Sequence, residues 1–374
     1  MHRDFKNIKK IVIKVGTSTL TNSDGSLNET LIKSIVAQIC DFKNRGFEVI
    51  LVSSGAVGAG MGLLGLDKKP SNINEKQALA AVGQVALMHL YERIFWAHSK
   101  NIAQLLLTRG DFSDRKRYLS VRNVCLKLLS LGIVPIINEN DPVVADEIKV
   151  GDNDTLSALV AGLVDADLLI ILSDIDGLYD KNPNTNLDAK LINTVEEIDE
   201  NIEKMADGDG GKFGTGGMTT KISAAKMANK IGTNLIIANG KMPNVLFKIL
   251  NEEKIGTLFL ANQKRLSSRK YWLAYGATQK GEIVVDDGAI KALAQGKSLL
   301  SVGILDVISE FERGDMISVK SREGKVVAKG ISNYSSSEIS LIKGHKSDEI
   351  EQILGHKSDN DVIHADNLAS KDQN

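Results

Sequence analysis

The sequence predicts an α/β protein: a mostly parallel open sheet sandwiched by helices, followed by a small β-rich, barrel-like unit. Three observations carry this reading. Short apolar runs alternate with longer helical patterns as far as Leu260. Polar or glycine-rich clusters follow those runs, as expected where an open parallel sheet binds ligands beyond its strand ends. After Leu260 the pattern changes to short alternating strands separated by Gly314-Asp315 and Glu323-Gly324 turns.

Ile11-Val-Ile-Lys-Val15 reads as a buried parallel strand, and Gly16-Thr-Ser-Thr19 as the small-residue turn after it. Lys14 is out of place there. A charge in a buried run is costly unless it is paired or functional. At the strand's C-terminal end it would point into the ligand crevice; an edge strand with Lys14 facing water is the plain alternative. Asn28 caps a helix with Leu31, Ile32, Ile35, Val36 and Ile39 on one face, closed by Gly46. Glu48 to Ser53 is the next strand. It runs into Ser53-Ser-Gly-Ala-Val-Gly-Ala-Gly60, where Ser54 and Gly55 offer a hydroxyl and backbone donors to an anion, or simply allow tight helix–sheet packing. Gly60-Met-Gly-Leu-Leu-Gly65 has the glycine spacing of a dinucleotide fingerprint but does not directly follow a strand, so it is set aside.

A long helix spans about Asn74 to Ala97, a strand Ile102 to Leu107, and a helix about Ser113 to Leu131. Arg115, Lys116 and Arg117 on that last helix read as a solvated face. Ile133 to Ile137 is a strand ending in Asn138-Glu-Asn-Asp-Pro142. Glu147-Ile-Lys-Val-Gly151 and Asp152-Asn-Asp-Thr155 precede a helix to Val164. Asp154 or Thr155 would cap it, with Asp152 and Asn153 as turn formers. Leu168 to Leu172 is a strand ending in Ser173-Asp-Ile-Asp-Gly-Leu-Tyr179; Leu235 to Ala238 and Gly256 to Leu260 complete the sheet.

The most pointed stretch is Gly208-Asp-Gly-Gly-Lys-Phe-Gly-Thr-Gly-Gly-Met-Thr-Thr-Lys221. Its glycines let successive N–H groups turn into one concavity, which suits an anion, and a helix starting near Thr220 adds its positive end. Lys221 in that first turn opposes the helix dipole, a cost that a bound anion would outweigh. A flexible surface loop is the alternative. The stretch is not a P-loop, because Phe213 follows Gly211-Lys212 where Ser or Thr is required.

Asn262-Gln-Lys-Arg-Leu-Ser-Ser-Arg-Lys270 is polar and basic, a linker. Beyond it, Ile283 to Val285, Met316 to Lys320, Lys325 to Lys329 and Glu338 to Ile342 read as strands, and Gly288 to Gln295 as a helix. Gly-His-Lys-Ser-Asp occurs at Gly344 and again at Gly355, too little for a repeat architecture. The expected division is 1–260, a linker 261–279, a β-rich unit 280–364 and a polar tail 365–374, disordered from Ser370. The length, 374 residues, suits two domains. A net charge of −1 gives no whole-chain field toward nucleic acid or membrane. Cys40 and Cys125 lie in helical apolar patterns and point to core packing, not a disulfide framework. The N-terminal residues form no signal-peptide apolar region, and Asp165 and Asp167 break the apolar stretch from Leu156 to Leu172. A cytosolic chain is expected.

Six motifs stand in order: Lys14-Val-Gly-Thr-Ser18, Ser53-Ser-Gly-Ala56, Asn138-Glu-Asn-Asp141, Val150-Gly-Asp-Asn-Asp154, Asp174-Ile-Asp-Gly-Leu-Tyr179 and Gly214-Thr-Gly-Gly-Met-Thr-Thr-Lys221. Together they resemble the amino acid kinase family, in its glutamate-phosphorylating branch, over roughly Ile8 to Leu260. The stretch from about Lys280 to His364 resembles a PUA domain. Ser53 stands where that pattern has Thr, and Ala365 interrupts a His-Arg-Asp-Asn pattern. The resemblance implies that ATP and L-glutamate give L-glutamyl 5-phosphate and ADP, the first step of proline biosynthesis. It implies that Ser54, Asp141 and Asn153 hold glutamate. It implies that Ser173 and Asp174, with Thr215, Gly216, Gly217, Met218, Thr219, Thr220 and Lys221, hold ATP. By the same resemblance Lys14 and Lys221 sit on the transferred phosphoryl group, and Asp154 orients both lysines. Proline as feedback inhibitor, a homo-oligomer and a glutamyl phosphate reductase as taker of the labile product are further implications.

The chemistry agrees with the residues. A γ-carboxylate with a pKa of about 4.3 is already ionised at neutral pH and needs no general base. The obstacle is an anionic nucleophile approaching an anionic triphosphate, and the remedy is positive charge that strengthens at the transition state. Mg²⁺ would be carried by ATP phosphates and water, with no protein ligand named. Two rivals stay open: a sibling kinase acting on N-acetylglutamate, aspartate, carbamate or UMP, and an RNA-binding protein using the PUA-like unit. An aromatic content of 5% speaks against a general single-strand platform.

Overall fold

The computed structural model describes residues 5–22, 25–66, 68, 70–143, 152–183, 185–207, 217–261, 272 and 279–370. They fall into two compact units, 1–111 with 116–265, and 112–115 with 266–374. The stretch Glu147 to Gly151, most of the expected linker, and glycine-rich residues 208–216, including Thr215 and Gly216, lie outside the described residues.

In the first unit the elements run β1 (Lys10–Val15), α1 (Thr17–Leu20), α2 (Glu29–Asn44), β2 (Glu48–Ser53), α3 (Ala56–Leu63), α4 (Ile73–Ala97), β3 (Ile102–Leu107), α5 (Arg109–Ser113), α6 (Arg115–Ser130) and β4 (Val134–Glu139). They continue with α7 (Asn153–Val164), β5 (Leu168–Ser173), β6 (Thr194–Val195), α8 (Glu200–Asp207), α9 (Met218–Lys230), β7 (Asn234–Asn239), α10 (Val245–Leu250) and β8 (Thr257–Phe259). The sheet order is β3-β4-β2-β1-β5-β7-β8-β6, parallel except where β7 meets β8. β1 therefore lies between β2 and β5, which excludes the edge-strand alternative for Lys14.

The parallel strands are apolar along their length because both sheet faces are covered. Ile11, Ile13, Val49, Leu51, Leu168 and Ile170 belong to one buried cluster with Ile35, Val36, Ile39 and Phe42 of α2 and Leu87, Tyr91 and Phe95 of α4. Asn28 caps α2 as expected: its side chain accepts from Leu31 N at 3.0 Å. Cys40 and Cys125 are buried and unbridged, and burial pushes their thiols up to about 11 and about 12, which leaves them as packing groups.

The cap of α7 differs from expectation. Asp152, read above as a turn former, is the N-cap, accepting from Thr155 N at 2.8 Å. Its carboxylate takes the orphan donor of the first turn. Asp154 is thereby released from capping and faces inward, fully buried.

The second unit contains β9 (Gly281–Val285), α11 (Asp287–Ala294), β10 (Ile304–Val307), β11 (Met316–Lys320), β12 (Val326–Ile331), α12 (Ser336–Ile342), α13 (Ile350–Leu354) and β13 (Leu368–Ser370). Its sheet order is β10-β9-β11-β12-β13, with β9 and β11 parallel and the remaining pairs antiparallel. The expected strand at Glu338 to Ile342 is instead helix α12. Ser335 and Glu338 form a capping box, in which Glu338 Oε2 accepts from Ser335 N at 2.7 Å. Alternation over so few residues could not outweigh a helix start signal. Strand β10 was not anticipated, and β13 joins the sheet from within the stretch expected as a tail.

Helices α3 and α4 pack through glycine. A Cβ on Gly83 would lie 1.8 Å from Ala56 O and 2.4 Å from Gly60 N; one on Gly60 would lie 2.1 Å from Leu79 O. The glycines set aside as a nucleotide fingerprint thus include one that serves helix packing. Gly83→Ala forces the two backbones apart and is expected to destabilise the chain by about 3 kcal/mol in urea unfolding. An unchanged midpoint would contradict this close approach.

Candidate active site

β1, β2, β4 and β5 end side by side, and polar residues cluster where the apolar runs stop. Val15 pairs with Ser53 across the β1–β2 ladder, and Lys14 stands opposite Val52 and Ile171. Each strand thus delivers a polar side chain from its C-terminal end, Lys14, Ser53, Asn138 and Ser173, to the same edge of the sheet.

Lys14 is 6% exposed and Lys221, in the first turn of α9, is 3% exposed. Both reach one carboxylate. Lys14 Nζ lies 2.7 Å from Asp154 Oδ1, and Lys221 Nζ lies 3.1 Å from Oδ2. Thr220 Oγ1 donates to Asp154 Oδ2 at 2.9 Å. Lys14 approaches Oδ1 as an ion pair, while the carboxylate's other oxygen serves Lys221 and Thr220. Burial alone would raise the Asp154 pKa. The two ammonium groups outweigh it and hold the carboxyl below its usual range. The result is a buried cluster of two cations and one anion, with the N-terminal end of α9 adding further positive potential. Such an excess of charge fits an anionic ligand.

A second cluster begins one residue earlier. Asn153 Nδ2 donates to Ser54 Oγ at 2.7 Å, to Ser53 O at 3.0 Å and to Asn138 Oδ1 at 3.1 Å. Gly55, at φ +93°, turns the chain into α3 immediately after Ser54. Asn138 Nδ2 donates in turn to Gln84 Oε1 at 2.9 Å. Behind Ser54, the buried Tyr91 hydroxyl lies 3.0 Å from Ser53 Oγ. Burial pushes that phenol up to about 12, against the lowering effect of the Ser53 contact.

The structure therefore brings Lys14, Asp154, Lys221 and Thr220 together, and joins Asn153 to Ser54. Asp141 is half-buried in a short 3-10 turn just past β4. At the end of β5, Ser173 is buried and its Oγ donates to Asp174 Oδ1 at 3.0 Å. Gly217 is the N-cap of α9, followed by Met218 and Thr219. Gln84 and Tyr91 carried no sequence-based assignment, and Asn138 was only part of a motif. The available signal was Gln84 itself, a polar residue in step with Ala80, Leu87 and Tyr91 on the buried face of α4.

Asp154 gives a pH-dependent prediction. Its pKa is lower in the folded chain than in the unfolded one. Its stabilising contribution is complete above the ordinary carboxylate value of about 3.9 and fades as pH falls through the folded value. Asp154→Asn leaves two buried cations unpaired and is expected to cost about 3–5 kcal/mol at neutral pH. Urea midpoints of the two proteins should converge as pH falls below the carboxylate range. A constant gap would contradict the ion-pair account.

Residues 9–239 match the amino acid kinase family and residues 281–354 match the PUA domain. The glutamate 5-kinase of Caldanaerobacter subterraneus subsp. tengcongensis is 54% identical, over 96% of this chain and 97% of its own. That of Geobacter sulfurreducens is 49% identical over 97% and 98%, and that of Carboxydothermus hydrogenoformans 49% over 100% of both. With the paired lysines of its sheet edge and this likeness along the whole chain, the protein belongs to the amino acid kinase family, on its glutamate 5-kinase branch, and carries a PUA domain behind the kinase domain.

Proposed function

We propose that this chain transfers the γ-phosphoryl group of ATP to the γ-carboxylate of L-glutamate, giving L-glutamyl 5-phosphate and ADP at the entry to proline biosynthesis. The observation that carries the reading is the convergence of Lys14 and Lys221 on the Asp154 carboxylate, from a strand end and a helix start far apart in sequence. Each lysine would meet the transferring phosphoryl group and offset the repulsion between two anionic reactants. Asp154 is no general base in this scheme. Two cations pin it, and the acceptor carboxylate is ionised without help.

Ser54, Asn153 and Asp141 form the proposed glutamate subsite. Asn153 and Asp154 are adjacent in sequence, so one helix start serves both the acceptor pocket and the phosphoryl cluster. The proposed nucleotide subsite takes Ser173 and Asp174 at the end of β5 and Gly217 to Lys221 at the start of α9, with Thr215 and Gly216 proposed from the sequence alone. Gly217 suits that place because a Cβ there would meet nothing within 4 Å among the described residues, leaving the backbone open to approach. The nucleotide enters as its magnesium complex. Among the described residues no three or more His, Cys, Asp or Glu side chains gather into a metal cage. The proposed site pairs two lysines around one carboxylate, a donor set that suits phosphate oxygens.

Proline as feedback inhibitor, a reductase that consumes the acyl phosphate, and the cytosol as compartment complete the reading. Among the described residues no helix is long and apolar enough to cross a membrane. Self-association suits α4, whose outer face exposes Val82, Val85 and Trp96.

The test is ADP release in a coupled assay over a panel of glutamate, aspartate, N-acetylglutamate, carbamate and UMP, with and without proline. Glutamate alone is expected to support turnover. Lys221→Ala, with its fold intact by circular dichroism, is expected to lose roughly a thousandfold or more in rate. Turnover near that of the unsubstituted chain would remove Lys221 from the reaction.

A further inference from the structure

Helix α4 buries an otherwise apolar face, Leu79, Ala80, Gly83, Leu87, Leu90, Ile94 and Phe95, against α3 at its N-terminal half and the main core further on. Two polar side chains interrupt it, Gln84 and Tyr91, on the same side of the helix two turns apart. Gln84 is 7% exposed, and a buried amide is retained at little cost only if its partners are supplied. Its partner is Asn138, itself 2% exposed at the end of β4.

The polarity of this network is determinate. The Glu139 backbone N–H can only donate, so the atom of Asn138 that faces it is Oδ1; Nδ2 then faces Gln84, which must present its acceptor Oε1. Asn138 Oδ1 then faces the other way, where it accepts from Glu139 N at 2.9 Å and from Asn153 Nδ2 at 3.1 Å. Asn153 must accordingly present its amide nitrogen to Asn138, Ser54 and Ser53. Among the described residues Asn153 Oδ1 takes no hydrogen bond, so that acceptor is left for a donor from outside the network. An α-ammonium group is such a donor.

We propose that Gln84 is the positioning residue of the amino-acid pocket. By fixing the amide of Asn138 it fixes the amide of Asn153, and so keeps an acceptor oxygen available to the ammonium group of the substrate. This inference rests on the proposed function, since it assigns the pocket beside Ser54 to an amino acid. Gln84 touches no reacting atom, and its influence falls on binding of the acceptor rather than on phosphoryl transfer. Loss of the Gln84 acceptor strands a buried N–H on Asn138. The amide's relief is to turn over. It would then set an NH₂ group against the NH₂ group of Asn153 and turn that residue in its wake.

The experiment compares Gln84→Met, which keeps the length of the side chain and removes the amide, with Gln84→Glu, which keeps an acceptor oxygen. Glutamate and ATP dependence are read from ADP release, glutamate binding from isothermal titration, and fold from thermal unfolding. Gln84→Met is expected to raise the glutamate KM and Kd about tenfold, with the ATP KM and kcat little changed. Gln84→Glu is expected to stay close to the unsubstituted chain. Unchanged glutamate affinity in Gln84→Met, equal losses for glutamate and ATP, or equal losses in both variants would overturn the role of Gln84 and leave the proposed function standing. An unsubstituted chain that neither binds nor phosphorylates glutamate would overturn the function itself, and this role with it.

Discussion

One carboxylate between two ammonium groups governs this molecule. Asp154 is fully buried, and a lone charge at that depth would be driven to neutralise. Lys14 and Lys221 keep it ionised, and it keeps them apart and aimed. Two ammonium groups at so little exposure would be costly to bury, and the carboxylate offsets that cost. The arrangement leaves one positive charge in excess, and the start of α9 adds to it. A pocket of that sign is of little use to a core and well suited to a triphosphate.

Around that interaction the fold acts as a jig. The parallel ladders place the ends of β1, β2, β4 and β5 at one edge, each apolar run stopping where its polar cluster begins. Helix α7 enters this edge with Asp152 occupied as its cap, which frees Asn153 and Asp154 for opposite duties. Asn153 turns to Ser54 and Asn138, and Asp154 to the lysines. Acceptor and phosphoryl donor are thereby expected to meet across a single peptide bond's length of chain. If both proposed subsites hang on this one helix start, much of the entropic demand of a two-substrate reaction is met in advance.

Much of this was legible in the chain itself. Lys14 stood out because a cation in Ile11-Val-Ile-Lys-Val15 contradicts the pattern around it, and the structure supplies the paired carboxylate that the contradiction required. Asn28 was readable as a cap because capping is local. Less local matters were misread or missed. Asp152, Asn153 and Asp154 are chemically near-equivalent in a helix-start pattern, and only tertiary packing decides which one caps. Glu338 to Ile342 reads as a strand, yet the Ser335-x-x-Glu338 box before it starts a helix. Gln84 drew no assignment from the sequence, because its partner Asn138 is brought against it only when the end of β4 packs on α4. The glycine-rich stretch that reads as an anion loop lies for the most part outside the described residues, so only its Gly217 to Lys221 end enters the structural account.

The central claim is that Lys14 and Lys221 act on one phosphoryl group as a unit, held by one carboxylate. A double-mutant cycle on turnover tests it most directly, with Lys14→Ala, Lys221→Ala and the pair measured at saturating ATP and glutamate. Groups that act as a unit are strongly non-additive, so the double variant is expected to be little slower than the worse of the two single variants. Losses that multiply independently would show that the two side chains serve separate ends, and would contradict the account.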